Sequence, residues 1–160
     1  MTDFEHLLKT LSTNSVEFVI VGGVAATIHG SARLTTDLDV VYGRNVENVR
    51  RLVAALTPLN PYLRGAPRGL PFRFDEPTIH AGLNFTLVTD AGPLDLLGEI
   101  AGVGAYAAFT GHTIDVTLFG TTYRCIDVDT LIKAKRAAGR PRDLEVIAEL
   151  EAIRDESGAG

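Results

Sequence analysis

Hydrophobic residues recur along the chain at two spacings, and each spacing predicts one type of secondary structure. A spacing of three and four residues predicts amphipathic helices, whose first residues are marked by cap residues. Such helices are expected at residues 2–11, 24–29 and 45–56, from Asp127 or Asp129 to residue 138, and from residue 141 onward. Thr2 and Glu5 suggest a capping box for the first helix. Val46 and Leu144 are expected on the inward faces of the third and the last helix.

Shorter apolar or alternating runs predict strands at residues 17–21, 37–42, 83–89, 93–97, 113–118 and 122–126. The turn sequence at residues 90–92 indicates a hairpin between the third and fourth of these strands. Residues 58–83 follow neither spacing and contain several prolines, so only short strands at 72–74 and 78–80 are expected there. Long irregular loops of this kind are often functional.

Two aspartates open the second predicted strand. Asp37 and Asp39 are two residues apart, and residues at this spacing in a strand point to the same face of the sheet. Two carboxylates held so close repel each other unless a cation lies between them, and hard divalent cations prefer oxygen ligands. The alternative is that one aspartate caps a turn while the other faces solvent, because aspartate is common in turns.

A third acid and a pair of glycines add to this candidate site. Asp95 lies within an apolar strand, where a buried charge is costly unless it is paired or coordinated. Gly22 and Gly23 stand between a strand and a helix, where glycines let backbone N–H groups approach a phosphate closely. A tight turn without a ligand is the alternative for the glycines. If the aspartate pair and the glycine pair are both functional, they bring metal and phosphate to the same edge of the sheet.

These residues resemble the signature of a known family. The segment VGGVAATIHGSARLTTDLDVV, residues 21–41, is similar to the motif of the nucleotidyltransferase superfamily, and more closely to the branch that contains the AbiEii-type toxins of bacterial toxin–antitoxin systems. The superfamily motif is a hydrophobic residue, Gly, Gly or Ser, a spacer, and two acids separated by one hydrophobic residue. Asp95 in GPLDLL matches the separate third carboxylate of the family. The basic segment 133–144 also resembles this branch.

The resemblance implies an α+β fold of the polymerase β-like nucleotidyltransferase type, with a mixed, mostly antiparallel sheet flanked by helices. It implies Mg²⁺ or Mn²⁺ as cofactor and a nucleoside triphosphate, such as ATP, as donor. The implied catalytic and metal-binding residues are Asp37, Asp39 and Asp95, and the implied phosphate-binding residues are Gly22, Gly23, Arg33, Lys133 and Arg136. Lys135 is expected to be a solvated surface residue. Many members of the superfamily have Ser at the position of Gly23, so the phosphate contact of that hydroxyl passes to backbone N–H groups.

The distribution of charge indicates which molecule could accept the nucleotide. The net charge is −5, yet five basic residues with no acid between them lie at residues 133–142. Because one triphosphate does not need five basic residues, RNA such as a tRNA end is the first candidate acceptor, and a protein side chain is the second. Modification of an antibiotic is a third candidate, although no acidic aminoglycoside-binding domain follows. A function of another class is a nucleotidyltransferase-like binding module, or an antitoxin, that acts through a partner protein.

Composition predicts one cytoplasmic domain. The chain has 160 residues, of which 46% are hydrophobic, so residues 1–156 are expected to form a single domain and residues 157–160 a frayed tail. The sequence shows no secretory signal and no apolar run of membrane-spanning length. The single cysteine, Cys125, suits core packing in a reducing compartment.

Overall fold

A computed structural model describes residues 2–67 and 69–158, which form six helices and nine strands. The helices are α1 (Phe4–Thr13), α2 (Gly22–Ile28), α3 (Val46–Leu56), α4 (Glu76–Ala81), α5 (Val128–Ala138) and α6 (Pro141–Gly158). The strands are β1 (Phe18–Val21), β2 (Leu38–Tyr42), β3 (Tyr62–Leu63), β4 (Phe85–Thr89), β5 (Gly92–Leu97), β6 (Glu99–Ile100), β7 (Gly104–Ala105), β8 (Thr113–Leu118) and β9 (Thr121–Ile126). Short 3-10 turns at Thr57–Leu59 and Tyr106–Phe109 complete the described chain.

Seven of the strands form one mixed sheet in the order β3-β4-β5-β2-β1-β9-β8. The pairs β1–β2, β3–β4, β4–β5 and β8–β9 are antiparallel, whereas β2–β5 and β1–β9 are parallel. The sheet is therefore mostly antiparallel, as the sequence predicts. The two parallel pairs place β2 and β1 at its centre, where both strands are almost fully buried. Strands β6 and β7 form a separate two-stranded ribbon that the sequence pattern did not predict.

Side-chain caps start four of the helices and fix their first residues. Asn45, Asp75 and Asp127 each accept a hydrogen bond from the backbone N–H three residues later, at 2.8 to 2.9 Å. The capping box expected at the first helix was wrong: Asp3, not Thr2, accepts from the N–H of His6, at 3.0 Å. The Thr2 hydroxyl instead donates to the carbonyl of Thr36.

The inward faces of α3 and α6 differ from the predicted ones at one position each. Val46 and Leu144, both expected to face inward, are 70% and 65% exposed. Val46 is the first residue of α3, before the helix reaches the core. In α6 the buried residues are Asp143, Ile147 and Leu150, which lie on one face, so Leu144 points away from α5.

The segment 58–83 differs most from the sequence prediction. Residues 78–80, expected to be a strand, lie in helix α4, because the Asp75 cap and Pro77 in the first turn favour a helix. No strand forms at residues 72–74. Strand β3 forms instead at Tyr62–Leu63 and extends the sheet beyond β4. This change brings the loop after β3 to the candidate site.

The C-terminal end of the chain is helical as far as the structure describes it. Helix α6 continues through residues 157 and 158 of the expected tail, and residues 159–160 lie outside the described residues. Within the part of the chain that the structure describes, no helix combines the length and the apolar character needed to cross a membrane.

Candidate active site

Asp39 and Asp95 lie side by side in the centre of the sheet. Strands β2 and β5 run parallel, and their register pairs Leu38 with Leu94 and Asp39 with Asp95. Residues paired in this way project from the same face of a sheet, while Leu38 and Leu94 are fully buried on the other face. Asp37 precedes β2 by one residue, and its charge acts on Asp39. The three predicted carboxylates therefore converge on one site.

The glycine turn touches this acid pair directly. Val21, the last residue of β1, pairs with Asp39 across the antiparallel β1–β2 ladder, so Gly22 comes next to the Asp39 carboxylate. A Cβ on Gly22 would lie 2.8 Å from Cγ of Asp39 and still closer to Oδ2. Gly22 also has a φ of +66°, in the left-handed region that favours glycine. This position accepts only glycine because a side chain would displace the carboxylate.

Burial and negative neighbours give Asp39 unusual acid–base properties. Its pKa is raised from 3.8 to about 7, first by burial, then by the negative charge of Asp95, a hydrogen bond with the Asp95 side chain, and the charge of Asp37. The positive charge of Lys135 acts in the opposite direction. Oδ1 of Asp39 is buried and has no hydrogen-bond partner among the described residues. The described residues therefore do not give an ionised Asp39 enough positive or hydrogen-bonding partners to stabilise its charge.

Arg64 joins the carboxylates and is a site residue that the sequence reasoning missed. Its Nη2 donates to Oδ1 of Asp95 at 2.7 Å, and its Nη1 lies 3.4 Å from Oδ2 of Asp37. The arginine follows β3 directly and comes from the segment 58–83, where no regular pattern was readable. An arginine in a proline-rich loop carries no sequence signal that would pair it with acids 27 and 31 residues away.

Lys135 is the second residue that the sequence reasoning missed. Its side chain is only 18% exposed, and its Nζ lies 3.6 Å from Oδ1 of Asp143. Lys135 also lines a cavity of about 170 Å³ together with Gly23, Thr35 and Val146. This lysine, expected to be a solvated surface residue, is therefore a half-buried cation beside the glycine turn and the acids. Larger cavities exist, but one of about 510 Å³ lies between α1 and α3 and holds none of the three carboxylates.

Of the three predicted basic phosphate contacts, Arg33 lines the same cavity as Gly23 and Lys135, and both Arg33 and Arg136 pair with acids of α6. Arg33 pairs with Glu145 at 3.3 Å and with Glu149 at 3.7 Å, both on α6. Arg136 pairs with Glu151 on the same helix. Lys133 is exposed and stands two residues from Lys135, a rotation of about 200° around α5, so the two lysines point to different sides. No ion pair joins Lys133 to any residue in the ranges 2–67 and 69–158.

Two neighbours of the site have structural partners. His29, the residue after α2, places its Nε2 2.7 Å from the carbonyl oxygen of Ile126. Asp143 pairs with Arg140: its Oδ2 accepts from Nε of Arg140 at 2.8 Å. Asp143 is 2% exposed, and although burial acts to raise its pKa, the hydrogen bonds and charge of Arg140 and the charge of Lys135 lower its pKa overall. It fixes α5 against α6 and so positions Lys135.

This chain is similar to solved structures but matches no family model and no curated sequence. The lincosamide antibiotic adenylyltransferase LnuA, crystallised with lincomycin, is 13% identical with a TM-score of 0.62, over 95% of this chain and 98% of LnuA.

Two further structures agree with the match to LnuA. The antibiotic-resistance factor ANT(2'')-Ia is 16% identical with a TM-score of 0.58, over 97% of this chain and 89% of that protein. A Thermotoga maritima protein described as a nucleotidyltransferase is 13% identical with a TM-score of 0.55, over 93% of this chain and 94% of that one. This chain has the nucleotidyltransferase fold. The fold class predicted from sequence is confirmed, and identities this low establish the fold alone.

Within the nucleotidyltransferase fold, the donor set of the site suits a hard divalent cation. All three acids are carboxylates, the ligands that Mg²⁺ prefers, and the buried Oδ1 of Asp39 is an acceptor in need of a positive partner. In the observed conformation, however, no group of three His, Cys, Asp or Glu side chains in the described ranges is arranged to hold a metal ion. The Arg64 guanidinium lies between two of the three carboxylates.

Proposed function

We propose that this protein is a metal-dependent nucleotidyltransferase that moves a nucleoside monophosphate from a nucleoside triphosphate to a hydroxyl group. The observation that carries the proposal is the convergence of Asp37, Asp39 and Asp95 beside the glycine turn of a nucleotidyltransferase fold. These carboxylates would hold one or two Mg²⁺ or Mn²⁺ ions, which supply neutralisation of the triphosphate charge and activation of the acceptor hydroxyl when bound.

Residues of the chain bind and position the triphosphate. Backbone N–H groups at the glycine turn, where α2 begins at Gly22, would donate to phosphate oxygens, while Lys135 offsets charge on the leaving group. During transfer the acceptor hydroxyl loses its proton to solvent and its oxygen bonds to the α-phosphorus. The bond from that phosphorus to the bridging oxygen breaks, and pyrophosphate leaves. Phosphate contacts from Arg33, Lys133 and Arg136 remain predictions. Arg33 and Arg136 must exchange a glutamate partner for phosphate to act in this way.

The donor and the acceptor are further parts of the proposal. LnuA and ANT(2'')-Ia are antibiotic-modifying proteins, and LnuA is covered over nearly its whole length, which supports ATP as donor and a small-molecule hydroxyl as acceptor. The sequence favoured RNA, on the strength of five basic residues at 133–142. Three of them, Lys135, Arg136 and Arg140, are in ion pairs with acids of α6. A small molecule therefore becomes the first candidate acceptor, RNA the second and a protein side chain the third.

A role in a toxin–antitoxin pair is the second candidate function. The resemblance of residues 21–41 to the AbiEii-type branch favours it. In that case the chain either transfers nucleotides as a toxin or acts through a partner protein as a catalytically weak binding module. The complete set of three carboxylates supports the enzyme, because a module that only binds a partner has no need to keep three acids together.

Transfer can be tested directly with the four α-³²P-labelled ribonucleoside triphosphates and Mg²⁺ or Mn²⁺. Each would be incubated with lincomycin, tobramycin, total RNA and lysate protein as separate acceptors. The Asp95→Asn variant is the control for contaminating activity, since Asn keeps the shape of the side chain without its charge. We expect label on a small-molecule acceptor with ATP, and none with the variant.

The other outcomes are equally informative. Label on RNA or on a protein band would reassign the acceptor and leave the reaction intact. If no acceptor is labelled and the triphosphates do not bind in the presence of metal, the enzyme proposal fails and the binding module takes its place.

A further inference from the structure

We propose that Arg64 is an internal substitute for the metal ion: its guanidinium holds the carboxylates together in the metal-free protein and is displaced when a divalent cation binds. The inference rests on the proposed metal site and goes beyond it, because it assigns a role to a residue outside the predicted motif. Its basis is the position of one positive group between acids from two different strands.

The sheet itself delivers Arg64 to this position. Leu63 pairs with Leu87 in the β3–β4 ladder, and the backbone N–H of Arg64 continues the ladder by donating to the carbonyl of Thr86 at 2.9 Å. Thr86 pairs with Asp95, and Asp95 pairs with Asp39. A single row across four strands therefore runs from Arg64 to Asp39. The arginine reaches the acids from the edge of the sheet opposite to β8.

The guanidinium makes bonds that a divalent cation would replace. Its Nη2 donates to Asp95 at 2.7 Å and also to the carbonyl of Leu87 at 2.7 Å, while Nη1 reaches Asp37 at 3.4 Å. Charge-assisted hydrogen bonds of this kind are about twice as strong as neutral ones. A metal ion bound to the same oxygens would carry two more positive charges into the space beside the guanidinium. The two cations would repel each other and compete for the same carboxylate oxygens, so the guanidinium gives way when the metal ion binds.

Several features make the displacement feasible. The Arg64 side chain keeps 29% of its surface exposed, so it has a route to solvent. Its Nε is buried and has no hydrogen-bond partner among the described residues, a donor that would gain a bond with water on leaving. Strand β3 has only two residues and lies at the edge of the sheet, and Gly65 follows with a φ of +79° and open space around it. Movement of the side chain requires no change in the core.

The test is Mn²⁺ binding at pH 8, with no nucleotide present, measured by electron paramagnetic resonance of the free ion. Arg64→Met removes the charge and keeps an apolar stem of similar length. We expect it to bind Mn²⁺ at least about tenfold more tightly than the wild-type protein, since binding no longer breaks the bonds to Asp37 and Asp95. Arg73→Met, in the same segment but exposed, is the matched control and should bind like the wild type.

Thermal unfolding gives a second readout that a merely structural arginine would not produce. Without metal, Arg64→Met should unfold at a lower temperature than the wild type, because repulsion among the acids is no longer balanced. With saturating Mn²⁺ the difference should largely disappear. Arg64→Lys keeps the charge but cannot bridge two carboxylates, so its Mn²⁺ affinity should be intermediate. This variant keeps the test usable if Arg64→Met does not fold.

Failure of this inference differs from failure of the proposed function. Equal Mn²⁺ affinity in the wild type and Arg64→Met, or equal destabilisation with and without metal, would overturn the substitute role and leave the transferase proposal standing. Weaker Mn²⁺ binding by Arg64→Met would overturn it too. If neither protein binds Mn²⁺, both the inference and the metal-dependent function are lost.

Discussion

At the scale of single residues, the candidate site is governed by the burial of Asp39. The acid is held between Gly22, which touches its carboxylate, and Asp95 on the next strand. Its pKa is raised to about 7, whereas the same group in the unfolded chain titrates near 3.8. Folding of the metal-free protein must therefore keep a proton on the site or accept repulsion between acids.

This shift predicts how stability depends on pH. Between about pH 4 and 7 the folded state binds a proton that the unfolded chain has lost, so the stability contributed by Asp39 is present below pH 4 and is lost as the pH rises through 7. We expect Asp39→Asn to remove this loss. In EDTA at pH 8 its melting temperature should exceed that of the wild type by at least about 3 °C, and the difference should shrink towards zero as the pH falls to about 4.

Melting curves at several pH values, recorded in EDTA, would check this expectation. The comparison of variant with wild type cancels the titration of other groups. A variant that is less stable at pH 8 than the wild type would show that the Asp39 carboxylate is stabilised by contacts other than those described, and would contradict the assigned direction of the pKa shift.

At the scale of elements, the β1–α2 turn and the α5–α6 pair bring backbone and charge to the acids. Helix α2 begins directly at Gly22, with no intervening loop, so the turn and the strand that carries Asp39 are locked together. Helices α5 and α6 pack closely and are joined through Asp143, which holds Lys135 and Arg140. Both devices depend on close contact between neighbouring elements.

The turn yields a prediction about Gly22. Gly22→Ala should lower the free energy of unfolding by at least about 2 kcal/mol, because it adds a clash with Asp39 to the strain of a positive φ. Gly120→Ala is the control, since Gly120 also has a positive φ, of +79°, with nothing within 4 Å of its added Cβ. Urea unfolding of both variants separates clash from backbone strain. Equal losses would mean that the carboxylate moves aside freely.

Helix α5 yields a prediction about the two lysines. Lys135→Met should weaken triphosphate binding in the presence of metal by about tenfold, because a half-buried cation beside the glycine turn is lost. Lys133→Met, on another side of the helix and exposed, should weaken it less than about twofold. Titration with a fluorescent triphosphate analogue measures both. The reverse order would restore the assignment made from sequence and remove Lys135 from the phosphate site.

At the scale of the whole molecule, charge pairing decides which acceptors fit. The net charge is −5, and the run of basic residues at 133–142 is largely neutralised by acids of α6. Of the five, only Lys133 and Arg142 are without an ion pair in the described part of the chain. The molecule therefore presents a small basic surface, which suits a short or uncharged acceptor better than a long polyanion.

Salt dependence checks this conclusion. At low acceptor concentration, the transfer rate should change less than about threefold when salt rises from about 50 to 200 mM, because few ions are released on binding. The rate is to be corrected for any salt effect on triphosphate binding, measured separately. The Arg142→Ala substitution should leave the transfer rate and its salt dependence unchanged. A fall of about a hundredfold, with a further loss in Arg142→Ala, would reinstate RNA as the acceptor.

The sequence by itself determined the central part of this protein. Alternation of apolar residues indicated the strands at 37–42 and 93–97, and spacing by two placed Asp37 and Asp39 on one face. These signals are local: they depend on residues a few positions apart, and the buried centre of a sheet enforces them strongly. For the same reason the cap at Asn45 and the end of α5 after residue 138 were readable in advance, while the start of α5 was narrowed to Asp127 or Asp129.

Only the tertiary structure decided the remaining members of the site. Arg64 reaches the acids because a two-residue edge strand pairs with β4, and such a short strand leaves no periodic signal. Lys135, and not Lys133, faces the site, where its Nζ pairs with the buried carboxylate of Asp143. Long charged side chains can point in many directions from one backbone position. Their direction is set by partners far away in the sequence, which a local pattern does not contain.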